Sequence, residues 1–382
     1  MKVQVLASTK IGYCMPKEEA LLFSGRAAGI CYLPDTIDKL FSEPEEKTLK
    51  RANANVASGH HSVFGHATYN FILEDVPKIL AMILNNEKVY TTSEKSARYT
   101  VMKSEDSEEK KLYEKWIEIF KKRIFEEYPK FDEKRVKKLA QENARYLISI
   151  FTPSTSMEYT VNFEQLNYII GWSKDYINNE ENNDFSIKLK DVLKDFLENL
   201  PDIEVEGLTS EMKGRSFSLF ARRPRNEEFG ENYSVNYMAS FAELAQAQRH
   251  RTLSYEMNMN YGKYSYYIPP IIRKTELEKE WLKDISSLEK NFPQGMMVMI
   301  NERGTIENFV LKCTERLCGA AQLEIMEGTF EILEKYKKAV ENNSVLSEYL
   351  KPYTKGARCT FPGWKCTSPC IFGPKDAVNR II

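Results

Sequence analysis

The sequence predicts an α+β fold made of two related halves. Strand-like alternation is sparse and appears at two distant places, ATYNFILE at 67–74 (Tyr69, Phe71, Leu73) and NYSVNYMASF at 232–241 (Tyr233, Val235, Tyr237). Each run leads into helical spacing, VPKILAMILNNEKVY in the first case and SFAELAQAQ in the second, and each helix ends in a charged, Tyr-bearing turn. The offset between the two places, about 160 residues, is too long for a solenoid repeat and fits two diverged copies of one domain.

Taken in order, VQVLAS opens as a short strand and LKRANANVASGHHSVFGH reads as helix. A charged amphipathic helix is predicted over Asp106 to Glu127. The polar stretch NNEENND (178–184) and the segment around Pro201 are candidate linkers. NFVLKCTERLCGAAQLEIMEG (308–328) reads as one helix. The expected organisation is a first copy over 1–205, a second over 206–350, and a tail rich in Cys, Pro and Gly over 351–382. Two unrelated α+β domains are the alternative.

Composition removes several function classes. The 382 residues are 42% hydrophobic and 29% charged, enough for roughly two packed cores and against wholesale disorder. Lys+Arg 54 against Asp+Glu 55 gives a net charge of -1, which argues against a broad nucleic-acid face, so a basic site must be a local one for a small anion. This balance also counts against an RNA-binding use of the Tyr-rich turn. Seven Cys are an odd number and no apolar run approaches the ~18 residues of a membrane span, so a reduced, cytoplasmic protein is expected.

Histidine is scarce and clustered. Of four, His60, His61 and His66 share one window and His250 lies within Arg249-His250-Arg251. Such clustering favours a site, with helix-end hydrogen bonding as the alternative. H-H-x-x-x-x-H lacks the companion ligands of a zinc centre. On a helix Gln246 and Arg249 share a face, and three consecutive residues cannot all face solvent, so at least one cation meets protein or ligand. Macrodipole compensation accounts for one or two of the charges. Arg316 shares a stripe with Phe309, Cys313, Ala320 and Leu323, and a guanidinium there needs either an internal carboxylate or an anionic ligand. Cys359, Cys366 and Cys370 stand at C-x6-C-x3-C: three thiolates without a nearby His, so a closed zinc site needs a fourth ligand from elsewhere. Structural thiols and no metal are the expectation.

Arg249-His250-Arg251-Thr252-Leu253-Ser254 resembles the R-H-R-x-x-S signature of flavin-dependent thymidylate synthases, and QAQRHR resembles their Q-x-x-R-H-R helix end. ERLCGAAQLEI (315–325) is similar to their L-R-x-x-x-x-A-Q-x-E-I helix, which places Arg316 at the arginine that polarises the pyrimidine. In the first half, HHSVFGH (60–66) resembles the H-x-[ST]-P-x-E-H flavin segment with Gly65 for Glu, and SEKSARY (93–99) resembles the N-E-x-S-x-R-Y nucleotide loop. Arg145 sits in the counterpart of A-R-x-x-L-P, and Asn162 in that of T-V-N-x-R, where Glu164 replaces Arg. The halves are complementary: Asn86-Glu87-Lys88 stands where R-H-R would be in the first, and the second lacks the nucleotide loop.

The resemblance implies two tandem thymidylate synthase-like domains, each with helices packed on a small antiparallel sheet, and C5 methylation of dUMP to dTMP. FAD would be the cofactor, with methylenetetrahydrofolate and NADPH as cosubstrates, and a homodimer would mimic the family's tetramer. Arg316 would be catalytic. Gln246, Arg249, Glu94, Lys95, Ser96, Ala97, Arg98 and Arg145 would bind the nucleotide, with Arg98 and Arg145 clamping phosphate. His60, Ser62, Asn162, Arg249, His250 and Arg251 would contact the cofactor. Gly65 and Glu164 leave two alternatives: alkylation or hydroxymethylation of another uridine nucleotide, and a non-catalytic nucleotide-binding relative.

Overall fold

The computed structural model describes residues 9–31, 36–95, 104, 106–209, 214–259 and 262–382. The opening VQVLAS and the loop residues Ser96, Ala97 and Arg98 lie outside them. The helices up to the middle of the chain are α1 (Lys17–Ile30), α2 (Ile37–Phe41), α3 (Glu45–Ser58), α4 (Lys78–Asn86), α5 (Ser107–Glu127), α6 (Glu133–Ala144), α7 (Phe163–Asn179) and α8 (Asp184–Glu198). The strands there are β1 (Thr68–Pro77), β2 (Tyr90–Glu94) and β3 (Pro153–Asn162). Beyond them come β4 (Glu228–Phe229), β5 (Asn232–Ser240), β6 (Ser254–Asn258) and β7 (Met297–Thr305), with α9 (Phe241–Ala247), α10 (Glu276–Ser287), α11 (Ile306–Arg316), α12 (Leu323–Ala339), α13 (Ser344–Leu350) and α14 (Gly373–Asp376). The architecture is α+β, as the sparse alternation predicts, and the two alternating runs are β1 and β5.

One sheet has the order β1–β3–β2 and the other β4–β5–β7–β6. Omitting the two-residue β4, both place the last strand between the first and the second. In both, the first and last strands run straight into helices: β1 into α4 and β3 into α7, β5 into α9 and β7 into α11. In the second sheet β5 and β7 pair antiparallel from Asn232 opposite Thr305 to Ser240 opposite Met297, and β6 pairs on the far side of β7.

The described residues divide into two compact units. Unit 1 draws on 1–73, 89–93 and 158–216, and unit 2 on 74–88, 94–157 and 217–382. In unit 1, α1 lies so close to α3 that a Cβ on Gly25 would stand 2.5 Å from the Thr48 carbonyl. The polar stretch 178–184 joins α7 to α8 within this unit. Asn183 caps α8, accepting from the Phe185 and Ser186 amides, while Ser186 reaches back to the Asn183 amide.

In unit 2 the amphipathic stretch forms α5, capped by Asp106, which accepts from the Glu108 and Glu109 amides at 2.9 Å. Tyr113, Trp116, Phe120 and Ile124 recur at helical spacing and bury against Val136, Ala140 and Ala144 of α6 and Trp281 and Ile285 of α10. Trp116 meets Trp281 edge to face at 4.8 Å. Unit 2 also contains an antiparallel bridge of Ser149 with Pro293. One residue beyond each, the Ile150 carbonyl accepts from the Ile79 amide (2.9 Å) and the Gln294 carbonyl from the Ala242 amide (3.1 Å). Ile79 and Ala242 are the second residues of α4 and α9, so the same backbone bond recurs at matching points.

The segment 308–328 is two helices rather than one. Its middle carbonyls are taken by the tail: Leu317 accepts from the Arg358 amide (2.7 Å), and Cys318 and Ala321 accept from the Arg380 guanidinium at 3.3 and 2.5 Å. With those acceptors engaged, α11 stops at Arg316 and α12 starts at Leu323.

Candidate functional site

The R-H-R turn follows a short helix. Ser240 caps α9 by accepting from the Glu243 amide, and α9 closes in tight bonds from the Arg249 amide to the Gln246 carbonyl and from the His250 amide to the Ala247 carbonyl. His250 is thereby turned inward, 4% exposed, while Arg249 is half-buried and Arg251 exposed. The Asn86-Glu87-Lys88 turn braces this one within unit 2. Asn86 accepts from the Gln248 side-chain amide at 3.0 Å, and the Lys88 ammonium donates to the Arg251 carbonyl at 3.2 Å and to the Leu253 carbonyl.

Arg316, last in α11, donates through Nε to His250 Nε2 at 2.6 Å and through its terminal nitrogen to the Gln246 carbonyl at 3.4 Å. Its carboxylate neighbour, Glu315, stands 4.0 Å away. Nε2 accepts from a guanidinium that can only donate, so the imidazole proton belongs on Nδ1. Burial first, then the charges of Arg316 and Lys312, pushes His250 down to about 2. His250 is therefore a neutral acceptor that holds Arg316. The resemblance assigned it to the cofactor; here its ring is buried against Arg316.

That shift sets a pH dependence. Above pH ~6.5 His250 is neutral both folded and unfolded and the stability is fully present. As the pH falls below ~6.5 the unfolded chain takes up a proton the folded chain refuses, costing about 1.4 kcal/mol per pH unit until the folded value is reached. Urea unfolding between pH 7 and 5 measures the slope, and His250→Asn is expected to flatten it by that amount.

Glu94 is the second focus. Burial raises its carboxyl, but Lys78 at 2.6 Å, with Arg249 at 3.5 Å and a bond from Thr155, outweighs burial and holds it below the usual range. The Asn85 side chain donates to the other oxygen at 3.2 Å. Glu94, from the counterpart of the nucleotide loop, and Arg249, from the R-H-R turn, thus face each other within unit 2. Lys95 is exposed, and its amide is bonded to the Ser156 carbonyl at 2.9 Å.

Arg145 is buried at 6% exposure and donates to the Gln322 side chain. Gln322 donates in turn to the Tyr146 hydroxyl, and Tyr146 donates to Glu324 at 2.8 Å. Glu324 also accepts from the Ser240 amide (3.0 Å) and hydroxyl (2.7 Å), which ties this chain to the cap of α9. Burial pushes Glu324 up to about 6, with the Ser240, Tyr146 and Arg145 contacts opposing it. Arg145 Nε, Gln246 Nε2, Gln248 Oε1 and the Tyr255 hydroxyl are buried and have no hydrogen-bond partner among the described residues. Two of these atoms, on Arg145 and Gln246, belong to residues assigned to the nucleotide.

His60, Ser62 and Asn162 belong to unit 1. His60 and Ser62 are exposed, and Asn162 caps α7 by accepting from the Gln165 amide at 2.8 Å. The buried member of this cluster is His61, bonded to the Tyr168 hydroxyl (2.8 Å) and the Val56 carbonyl (3.0 Å). A Cβ on Gly65 would stand 3.3 Å from Asn162 Nδ2 and 3.8 Å from Glu164 Oε2, so the two departures from the family pattern are neighbours. A carboxylate at 65 would face the carboxylate of Glu164, which the glycine avoids.

The sequence reading did not single out Lys78, Tyr146, Gln322 and Glu324 as site residues, and marked Asn86 and Lys88 only as standing where R-H-R would be. Gln322 and Glu324 lie in the A-Q-x-E-I match and were within reach of that reading. Lys78 carried no motif signal, because only the fold brings it to Glu94.

Residues 15–196, a little under half of the chain, match the family model described as thymidylate synthase complementing protein. The flavin-dependent thymidylate synthase of Pyrococcus abyssi is 26% identical over 157 residues, covering 38% of this chain and 62% of the relative. That of Pyrococcus furiosus is 26% identical over 148 residues, covering 36% of this chain and 57% of the relative. The matches thus reach less than two thirds of the length of these relatives. On the sequence, the chain is similar to flavin-dependent thymidylate synthases over less than half of its length.

Proposed function

We propose that the chain is a two-copy member of the flavin-dependent thymidylate synthase family and converts dUMP to dTMP, with FAD as cofactor and methylenetetrahydrofolate and NADPH as cosubstrates. The observation that carries this reading is the contact of Glu94 with Arg249: motif positions from the two proposed copies, each missing from the other, meet in one unit. The duplication is supported by the shared strand order and by the matched bonds of Ile79 and Ala242. Two chains, each carrying two copies, would supply the four domains of the family's tetramer. Among the described residues no helix is long and apolar enough to cross a membrane, in keeping with the proposed cytoplasmic location.

The residues suit the ligands. The buried donors Arg145 Nε and Gln246 Nε2 call for an oxygen-bearing anion, which a nucleotide offers through phosphate and uracil carbonyls. Arg251 in unit 2, and His60 and Ser62 in unit 1, are exposed donors of the kind that a dinucleotide pyrophosphate takes. Bound FAD supplies the redox capacity of the reaction. The chain itself does the rest: Arg145, with Arg98, holds phosphate, and Glu94 and Arg249 fix the nucleotide. Arg316, aimed by His250, stabilises negative charge developing on the pyrimidine in a dry site. Cys313 is buried and burial drives its thiol well up, so it offers no nucleophile.

The test is dTMP formation from dUMP by the full chain supplied with FAD, methylenetetrahydrofolate and NADPH, read by mass spectrometry. A net gain of CH2 on dUMP is expected, as a methyl group replaces the C5 hydrogen. A different uridine nucleotide consumed in its place would favour the alternative, for which the altered pair Gly65 and Glu164 is the specific observation.

A further inference from the structure

The tail holds three cysteines in search of a fourth ligand, and the fold provides one. The 2.7 Å bond from the Arg358 amide to the Leu317 carbonyl sets Cys359 and Cys318 on adjoining residues of two paired backbones. Cys370 arrives from the other side: a Cβ on Gly319 would lie 2.9 Å from its sulfur, so only a glycine beside Cys318 leaves room for it. Cys366 lies four residues before Cys370 on the exposed part of the same loop. None of the four is in a disulfide.

We infer that Cys318, Cys359, Cys366 and Cys370 form a tetrathiolate site for a zinc ion, which pins the tail to the turn that follows Arg316. As described, no three of these donors stand at coordination spacing, so the loop carrying Cys366 draws in when the ion binds. Zinc suits the set because thiolate sulfurs at about 2.3 Å close a tetrahedron around it. Binding balances as four thiols losing four protons to solvent and one Zn²⁺ entering, leaving a complex of charge about −2. The Arg380 guanidinium, 7% exposed and bonded to the Cys318 carbonyl, offers positive charge beside it. Phe372, two residues past Cys370, anchors the loop edge-on against Tyr128 and Phe131.

The experiment is metal analysis of the full chain purified without chelator, with Cys318→Ser, Cys366→Ser and, as control, Cys31→Ser, whose residue is exposed in unit 1. About one zinc per chain is expected in the parent and the control, with most of it lost in the other two. In case the serine variants misfold, reduced metal-free parent protein is titrated with Co²⁺, where tetrahedral thiolate bands saturating at one ion per chain are expected. A parent free of zinc that gives no such bands overturns the proposal. So does an iron–sulfur chromophore, or zinc fully retained in a folded Cys318→Ser variant.

Discussion

Arg316→Ala is expected to lower the rate of dTMP formation by about 10²- to 10³-fold while leaving the fold intact, the size seen when one donor to a developing oxyanion is removed. Arg316 donates to His250 and to the Gln246 carbonyl, and the Glu315 carboxylate stands 4.0 Å away. These bonds fix the direction of its guanidinium. Arg316→Lys keeps the charge but loses the planar fork, so it should recover only part of the rate. dUMP affinity should fall far less than turnover if, as proposed, Arg98 and Arg145 hold the phosphate. Steady-state kinetics, with thermal unfolding as a check on folding, separate these effects. An Arg316→Ala enzyme with unchanged kcat would remove Arg316 from the chemistry.

The second large effect concerns stability. Lys312 and Glu302 form an ion pair of 2.6 Å with both side chains 0% exposed. The Tyr233 and Tyr237 hydroxyls also donate to Glu302, at 2.7 and 2.8 Å. Lys312→Met removes one charge and leaves the other buried, and a loss of about 3–5 kcal/mol is expected. Glu302→Leu should cost at least as much, since it strands the ammonium and two hydroxyls. Chemical denaturation of unit 2 reads both. A loss below ~1 kcal/mol, typical of a surface pair, would show that the pair is hydrated. The pair lies at the junction of β7 and α11, so loosening it should also disturb Arg316 at the far end of α11.

What the sequence disclosed follows from how local each signal is. β1, β5 and α5 were legible because alternation and helical spacing are set by neighbours along the chain. The break between α11 and α12 was not, because the groups that take the carbonyls of Leu317, Cys318 and Ala321 are Arg358 and Arg380, dozens of residues later. Arg316 was recognisable as an anomalous charge, yet its partner was open, and a neutral histidine is among the groups that meet it. The Glu302–Lys312 pair left no trace, since charged residues in a strand and a helix are ordinarily solvated. His61 shows the same limit. Clustering drew attention to its window, but only packing against Tyr168 singles out which histidine is inside.

The most direct test of the central claim is the visible spectrum of the purified full chain, loaded with FAD and then treated anaerobically with NADPH, with and without dUMP. Flavin absorbance that stays with the protein and bleaches faster when dUMP is present is the predicted result. A protein that takes up no FAD, or whose flavin is indifferent to dUMP, would contradict it.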